Sequence, residues 1–165
     1  MTPMPTWEEI CDDQSLRDLP YKIEQDRYGR IVMSPTSYDH GLLQAAIAFR
    51  LRDLPPNWAI SPEGAITTSE GIRVPDVVAI SKRRSVANRG KFALPEAPEI
   101  CVEVVSWSNS MPDISEKRRL LAPLGCQEFW ICSDEGQMTF LDAATGDTLA
   151  ASRICPGFPS TIHID

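Results

Sequence analysis

The segments Arg73-Val74-Pro75-Asp76-Val77-Val78-Ala79-Ile80 and Glu99-Ile100-Cys101-Val102-Glu103-Val104-Val105-Ser106 place one carboxylate, Asp76 and Glu103, inside each of two apolar, β-branched runs. Such runs read as strands, and a strand of this kind normally excludes charge. An ionised carboxylate buried without a partner costs several kcal/mol or takes up a proton. On neighbouring strands Asp76 and Glu103 would also repel each other unless a cation lay between them. Hard divalent cations, Mg²⁺ foremost, bind through one or two carboxylates with carbonyls, waters and substrate phosphate, so the pair reads as a metal site with phosphate chemistry in view. The alternative for Asp76 is an acid at a strand start satisfied by backbone N–H groups or by Arg73.

A chain of 165 residues, 42% of them apolar, is long enough for one core around one sheet, and a single domain over 1–165 is expected. It has no run of about 18 apolar residues that could span a bilayer. The start Met1-Thr2-Pro3-Met4-Pro5-Thr6 has neither the basic nor the apolar region of a secretory signal. The expectation is a cytoplasmic protein with no membrane association. Cys11, Cys101, Cys126, Cys132 and Cys155 form an odd set without a Cys-x-x-Cys pair, which reads as reduced, mostly buried thiols. Neither His40 nor His163 stands at zinc-ligand spacing from a cysteine.

A net charge of -7 argues against a protein that coats nucleic acid through its overall field. The local distribution differs. Lys82, Arg83, Arg84, Arg89, Lys91, Lys117, Arg118 and Arg119 are eight of the 16 basic residues, and their window brackets Glu103. They read either as a basic rim around an acidic centre or as solvated loop and helix charges.

Thr6 with Glu9 has the form of a capping box and predicts a short opening helix. Tyr21-Lys22-Ile23-Glu24 and Ile31-Val32-Met33-Ser34 flank a turn at Asp26 and Gly29 and predict a hairpin, with Glu24 facing away from Ile23. Leu43, Ile47, Leu51 and Leu54 recur at helical spacing and predict a helix from about Tyr38 to Asp53, ended by Pro55-Pro56. Strands near Ala59–Ser61 and Ala65–Thr68 lead through Gly71 into the Asp76 strand, and 81–98 reads as a polar loop. Asp113 with Glu116 forms a second capping pair ahead of a helix carrying Lys117, with Pro123 shortening its last turn and Gly125 as the stop. Glu128–Cys132 and Met138–Leu141 predict a hairpin about Asp134-Glu135-Gly136-Gln137, followed by a turn at Thr145-Gly146-Asp147 and a final short strand. Many strands with few helices point to an α+β fold.

Several landmarks occur in a fixed order: Ile23-Glu24 with Gly29–Pro35, His40-Gly41, Arg73–Asp76, Pro98–Ser106, Asp113 with Glu116–Arg118, and Gly125 with Glu128–Ile131. In this order the chain resembles the Uma-two-like family of restriction endonucleases, a branch of the PD-(D/E)XK nuclease superfamily. The resemblance implies a restriction-endonuclease-like core, a mixed central sheet flanked by helices with extra antiparallel hairpins. It also implies that Asp76, Glu103 and the main-chain carbonyl of Val104 hold Mg²⁺, or Mn²⁺ in its place, with Glu24 an accessory acid. The superfamily's lysine usually lies two residues after the second acid, where this chain has Val105. In this branch it comes from the following helix, at the place of Lys117. His40, Arg83, Arg84 and Arg119 are the expected nucleic-acid contacts. The family's Ser-Pro-Ser run and its aromatic one turn beyond the lysine are replaced here by Ser106-Trp107-Ser108 and Leu121.

The expected function is a metal-dependent endonuclease acting on DNA, with a homodimer as the form suited to cutting two strands. The competing reading is a catalytically inactive protein that keeps the fold as a binding or dimerisation module. It draws on the acidic charge and the lack of a helix-turn-helix or zinc finger. Taken alone, Lys117 reads as a solvated helix charge, and Trp107 as either a base-stacking side chain or packing.

Overall fold

The computed structural model of the protein describes residues 3–53, 57–107 and 109–165. Met1, Thr2, Leu54, Pro55, Pro56 and Ser108, on which parts of the sequence reading fall, lie outside them.

Thr6 opens helix α1 (Trp7–Asp12) with a full capping box, its side chain accepting from the Glu9 N–H while the Glu9 carboxylate accepts from the Thr6 N–H. Strands β1 (Tyr21–Gln25) and β2 (Ile31–Pro35) form the expected hairpin. Ser37 caps α2 (Tyr38–Arg52) by accepting from the His40 N–H, and His40, Leu43, Ile47 and Leu51 make its buried stripe. There follow β3 (Trp58–Pro62), β4 (Ile66–Thr68), β5 (Gly71–Arg73), β6 (Val77–Ser81), α3 (Lys82–Ala87), β7 (Ile100–Val104), α4 (Met111–Leu121), β8 (Glu128–Cys132), β9 (Met138–Asp142) and β10 (Thr148–Leu149).

Two sheets result. The smaller has the order β2-β1-β5-β4 and the larger β10-β9-β8-β7-β6-β3. β7 and β8 run parallel and are joined through α4, whereas the other pairs are antiparallel. Alternation along the central strands sends Val77, Ala79, Ile100 and Val102 against Leu43, Ile47 and Leu51 of α2. The opposite face sends Val78, Cys101 and Phe129 against Ile114 and Leu121 of α4. The α+β expectation, a mixed sheet flanked by helices with antiparallel hairpins beside it, describes this arrangement. Four of the five thiols are buried, Cys11 being the exposed one, and none is in a disulfide.

Three local expectations are corrected. The run Arg73–Ile80 is not one strand: β5 ends at Arg73 in the small sheet and β6 begins at Val77 in the large one. Pro75 has no N–H for a ladder bond, so the chain crosses between sheets over Val74-Pro75-Asp76. The segment 81–98 contains α3, which lacks an apolar stripe and is held instead by Arg84, whose guanidinium bonds the Ala97 carbonyl and pairs with Glu96 and Glu99. Helix α4 starts earlier than read: Ser110 is its cap and Asp113 completes that box. The predicted end holds, because residues 122–124 tighten into a 3-10 turn and Gly125 adopts φ 108°.

Glu128 anchors the C-terminal segment. It is 2% exposed, and its carboxylate accepts from Trp130 Nε1, Ser152 Oγ and the N–H groups of Arg153 and Ile154. Glu128→Ala leaves these donors without their acceptor and is expected to lower stability by about 3 kcal/mol. Glu128→Gln, which keeps one acceptor oxygen, should cost less. Urea unfolding checks both, and a Glu128→Ala midpoint equal to the wild type would show that this carboxylate does not hold the tail.

Candidate active site

The crossing from β5 to β6 places Asp76 between the two sheets, fully buried. Its Oδ1 accepts from Lys22 Nζ on β1 at 2.8 Å and its Oδ2 from the Val104 N–H at 2.8 Å. His40 Nε2, on the buried stripe of α2, lies 3.3 Å from Oδ2. Even the Asp76 carbonyl is gripped, by Gln44 Nε2 at 2.9 Å and the Glu63 N–H at 3.0 Å. Arg73 is not its partner; that guanidinium bonds the carbonyls of Gln25 and Glu70.

The freedom of Val104 follows from the same proline. Val77 pairs with Val102, and the same antiparallel register carried two residues further sets Pro75 opposite Val104. Proline has no N–H for that carbonyl. The Val104 N–H turns to Asp76, and its carbonyl takes Asn109 Nδ2 at 3.3 Å.

Glu103 shares the α4 face of β7 with Cys101 and is 1% exposed. On α4, Lys117 stands between Ile114 and Leu121 at spacings of three and four, so it lies on the buried stripe rather than in solvent. Its ammonium is 2.9 Å from Glu103 Oε1 and 2.8 Å from Glu24 Oε1. Glu24 comes from β1 and also accepts from the Val74 N–H at 2.6 Å. Two residues earlier, on the same face of that strand, Lys22 sits 3.8 Å from Glu103 Oε2. Lys22 was missed in the sequence reading, although its i−2 spacing from Glu24 was the available signal.

Three carboxylates and two ammonium groups therefore meet, with one surplus negative charge if all are ionised. Burial favours the neutral acid throughout, and the partners decide the outcome. For Asp76, burial is outweighed by the His40 contact and the Lys22 charge, so its carboxyl is held below the ordinary range. For Glu24, burial is likewise outweighed by Lys117 and Lys22. For Glu103, burial together with the charge of Asp76 prevails over Lys117, and its acidity is weakened. Burial opposes the charge on Lys22, but Glu103, Asp76 and Glu24 overcome it and raise its pKa.

A cleft of about 260 Å³ opens over this group, lined among others by Lys22, Glu24, His40, Arg73, Glu103 and Lys117. Arg83, Arg84 and Arg119 do not line it: Arg83 and Arg119 are exposed elsewhere on α3 and α4, and Arg84 is engaged with the 96–99 segment. Trp107 is 100% exposed just beyond β7, so it does not serve as packing, while Leu121 is fully buried. Among the described residues no group of three or more His, Cys, Asp or Glu side chains converges as a metal cage. The donors nevertheless suit a hard cation. They are oxygens, Asp76 and Glu103 already share one positive charge in Lys22, and the Val104 carbonyl accepts a long bond from a side-chain amide, Asn109 Nδ2 at 3.3 Å. His40 Nδ1 is, among the described residues, a buried atom with no hydrogen-bond partner.

The shifts set an acid limb. Asp76 and Glu24 have folded pKa values below their ordinary 3.8 and 4.5, so the stability they contribute is present above those values and lost as pH falls through the folded ones. Glu103, shifted upward, takes its proton earlier in the folded protein and softens the loss. Urea midpoints measured from pH 6 to pH 3 should therefore fall more steeply for the wild type than for Asp76→Asn; parallel curves would remove Asp76 from the acid limb.

A comparison with curated proteins returns no match. Among solved structures, the chain is similar to a protein from Anabaena variabilis described as a putative nuclease belonging to DUF820. The likeness has a TM-score of 0.73 at 15% identity and covers 97% of this chain and 95% of that one. It shows that the two share a fold, the restriction-endonuclease-like arrangement of a mixed sheet between helices. A family model described as "Uma2: Putative restriction endonuclease" matches residues 11–156, nearly the whole chain, and the protein accordingly belongs to the Uma2 family.

Proposed function

We propose that the protein is a Mg²⁺-dependent endonuclease that hydrolyses phosphodiester bonds in DNA, with Mn²⁺ able to replace Mg²⁺. The observation that carries this reading is the meeting of Glu24, Asp76, Glu103 and Lys117, from four separate segments, in one cluster of charges: Glu24, Glu103 and Lys117 line the cleft, and Asp76 is buried behind it, joined to Glu103 through Lys22. Membership of a family described as restriction endonucleases supports the nuclease class and DNA as the substrate.

Asp76, Glu103 and the Val104 carbonyl would hold the ion. When bound, it would polarise a phosphoryl oxygen and acidify water at the site. The remaining work belongs to the chain. Lys117, clamped between Glu24 and Glu103, presents a fixed ammonium that offsets charge developing on the phosphate and orients the attacking water. Glu24, 2.8 Å from its ammonium, positions Lys117. Asn109 secures the turn after Val104 by accepting the Ser106 N–H at 2.7 Å, which sets the edge of the cleft. Arg73 and Lys22 supply positive charge within the cleft, where a phosphate backbone would approach. Cutting both strands of a duplex is served by two copies related by symmetry, so a homodimer is the working form in this reading.

Nicking of supercoiled plasmid is the test, with Mg²⁺, Mn²⁺ or EDTA. The wild type should cut only with metal, and Asp76→Ala and Lys117→Ala should each lower the rate by about 100-fold or more. No cleavage under any condition, or equal cleavage by all three proteins, would instead favour a non-catalytic binding module.

A further inference from the structure

Asp76 does not itself line the cleft, being fully buried, whereas Lys22, which is paired with it, does. Its ammonium donates to Asp76 Oδ1 at 2.8 Å and faces Glu103 Oε2 at 3.8 Å. Lys117 takes the other oxygen of Glu103, Oε1, and is held from its far side by Glu24. The two lysines thus divide the site. Lys117 is clamped by two carboxylates on the buried stripe of a helix, whereas the oxygens that a cation shared by Asp76 and Glu103 would use are those facing Lys22.

We propose that Lys22 is a built-in competitor for the metal: its ammonium is the resident counter-ion of Asp76 and Glu103 in the metal-free protein, and it leaves them when a divalent ion enters. The inference rests on reading those two acids as metal ligands. A divalent ion bound at about 2.0 to 2.6 Å to both of the oxygens that face Lys22 would take the space between the two acids that the ammonium now fills, and the like charges repel. Departure requires no change in the strand. The Lys22 backbone is fixed opposite Ser34 in the β1–β2 ladder, while its four-carbon stem is flexible and the cleft provides room for the ammonium. Once displaced, Lys22 would lie where a substrate phosphate approaches. The arrangement keeps two buried acids neutralised without metal and weakens apparent metal affinity by the fraction of molecules in which Lys22 is already withdrawn.

Calorimetric titration of the full chain with Mn²⁺, paired with thermal melting in EDTA and in Mn²⁺, reads this without reference to cleavage. Lys22→Met is expected to bind Mn²⁺ about 10-fold more tightly than the wild type or better. It should also melt lower than the wild type in EDTA and gain more from Mn²⁺. Lys22→Gln, which retains a donor for Asp76 Oδ1 but no charge, carries the same expectation. If neither variant folds in EDTA, a cooperative transition restored by Mn²⁺ and not by NaCl of equal ionic strength supports the proposal, and failure of Mn²⁺ to restore it overturns it. Mn²⁺ affinity in the variants equal to or weaker than in the wild type overturns the role of Lys22 and leaves the metal site standing. Absence of binding by wild type and variants alike overturns both the site and the competitor.

Discussion

Keeping Asp76 ionised without solvent requires partners from several parts of the fold at once. Its carboxylate is met by Lys22 from the small sheet, by the N–H of Val104 from the large sheet and by His40 from α2. A carboxylate buried without such partners would cost several kcal/mol or be neutral. The same residue therefore ties the two sheets and α2 together, and the backbone crossing that creates it follows from a proline unable to join the ladder. Mutual placement of these elements and ionisation of Asp76 are two aspects of one constraint.

Around that anchor, charge rather than shape organises the cleft. Glu103 and Glu24 are buried on either side of Lys117, and the pairs are close enough for the partners to overturn the effect of burial at Glu24 but not at Glu103. Breaking a buried pair by removing one member typically costs about 3 to 5 kcal/mol, so such a cluster is expensive to alter piecemeal. The apolar stripes of α2 and α4 each carry one polar member, His40 and Lys117, and packing of the stripe aims that member at the site. Core and site are built by the same helical periodicity.

Much of this was legible in order along the chain. The hairpin about Gly29, α2, the helix bearing Lys117 and the hairpin from β8 to β9 follow from local capping, turn residues and periodicity, and they stand where those signals put them, save that the helix bearing Lys117 begins at Met111, ahead of the Asp113–Glu116 pair. Helix α3 was not legible, because its six residues have no apolar stripe and depend on Arg84 reaching residues more than ten positions away. The break between β5 and β6 was hidden by an unbroken apolar run, in which the proline alone marked the change of sheet. The expected basic rim did not form over the cleft. Arg83 and Arg119 project elsewhere, and nearness in sequence to Glu103 says nothing about which side of the sheet a loop or helix charge will face.

By itself the sequence determined the class of fold, the apolar runs that carry acids and the identity of those acids, because a charge within a β-branched run needs a partner wherever the run is buried. Membership of the Uma2 family was readable in the same residues. Only the tertiary structure decided which cations answer those charges. Lys22 and Lys117 lie 81 and 14 positions from Glu103 and reach it from opposite sides, one from a strand of another sheet and one from a helix packed across the face. No local pattern encodes that meeting, since it depends on how two sheets are placed against each other. That placement is set by burial of the apolar stripes and by the need of Asp76 for its partners.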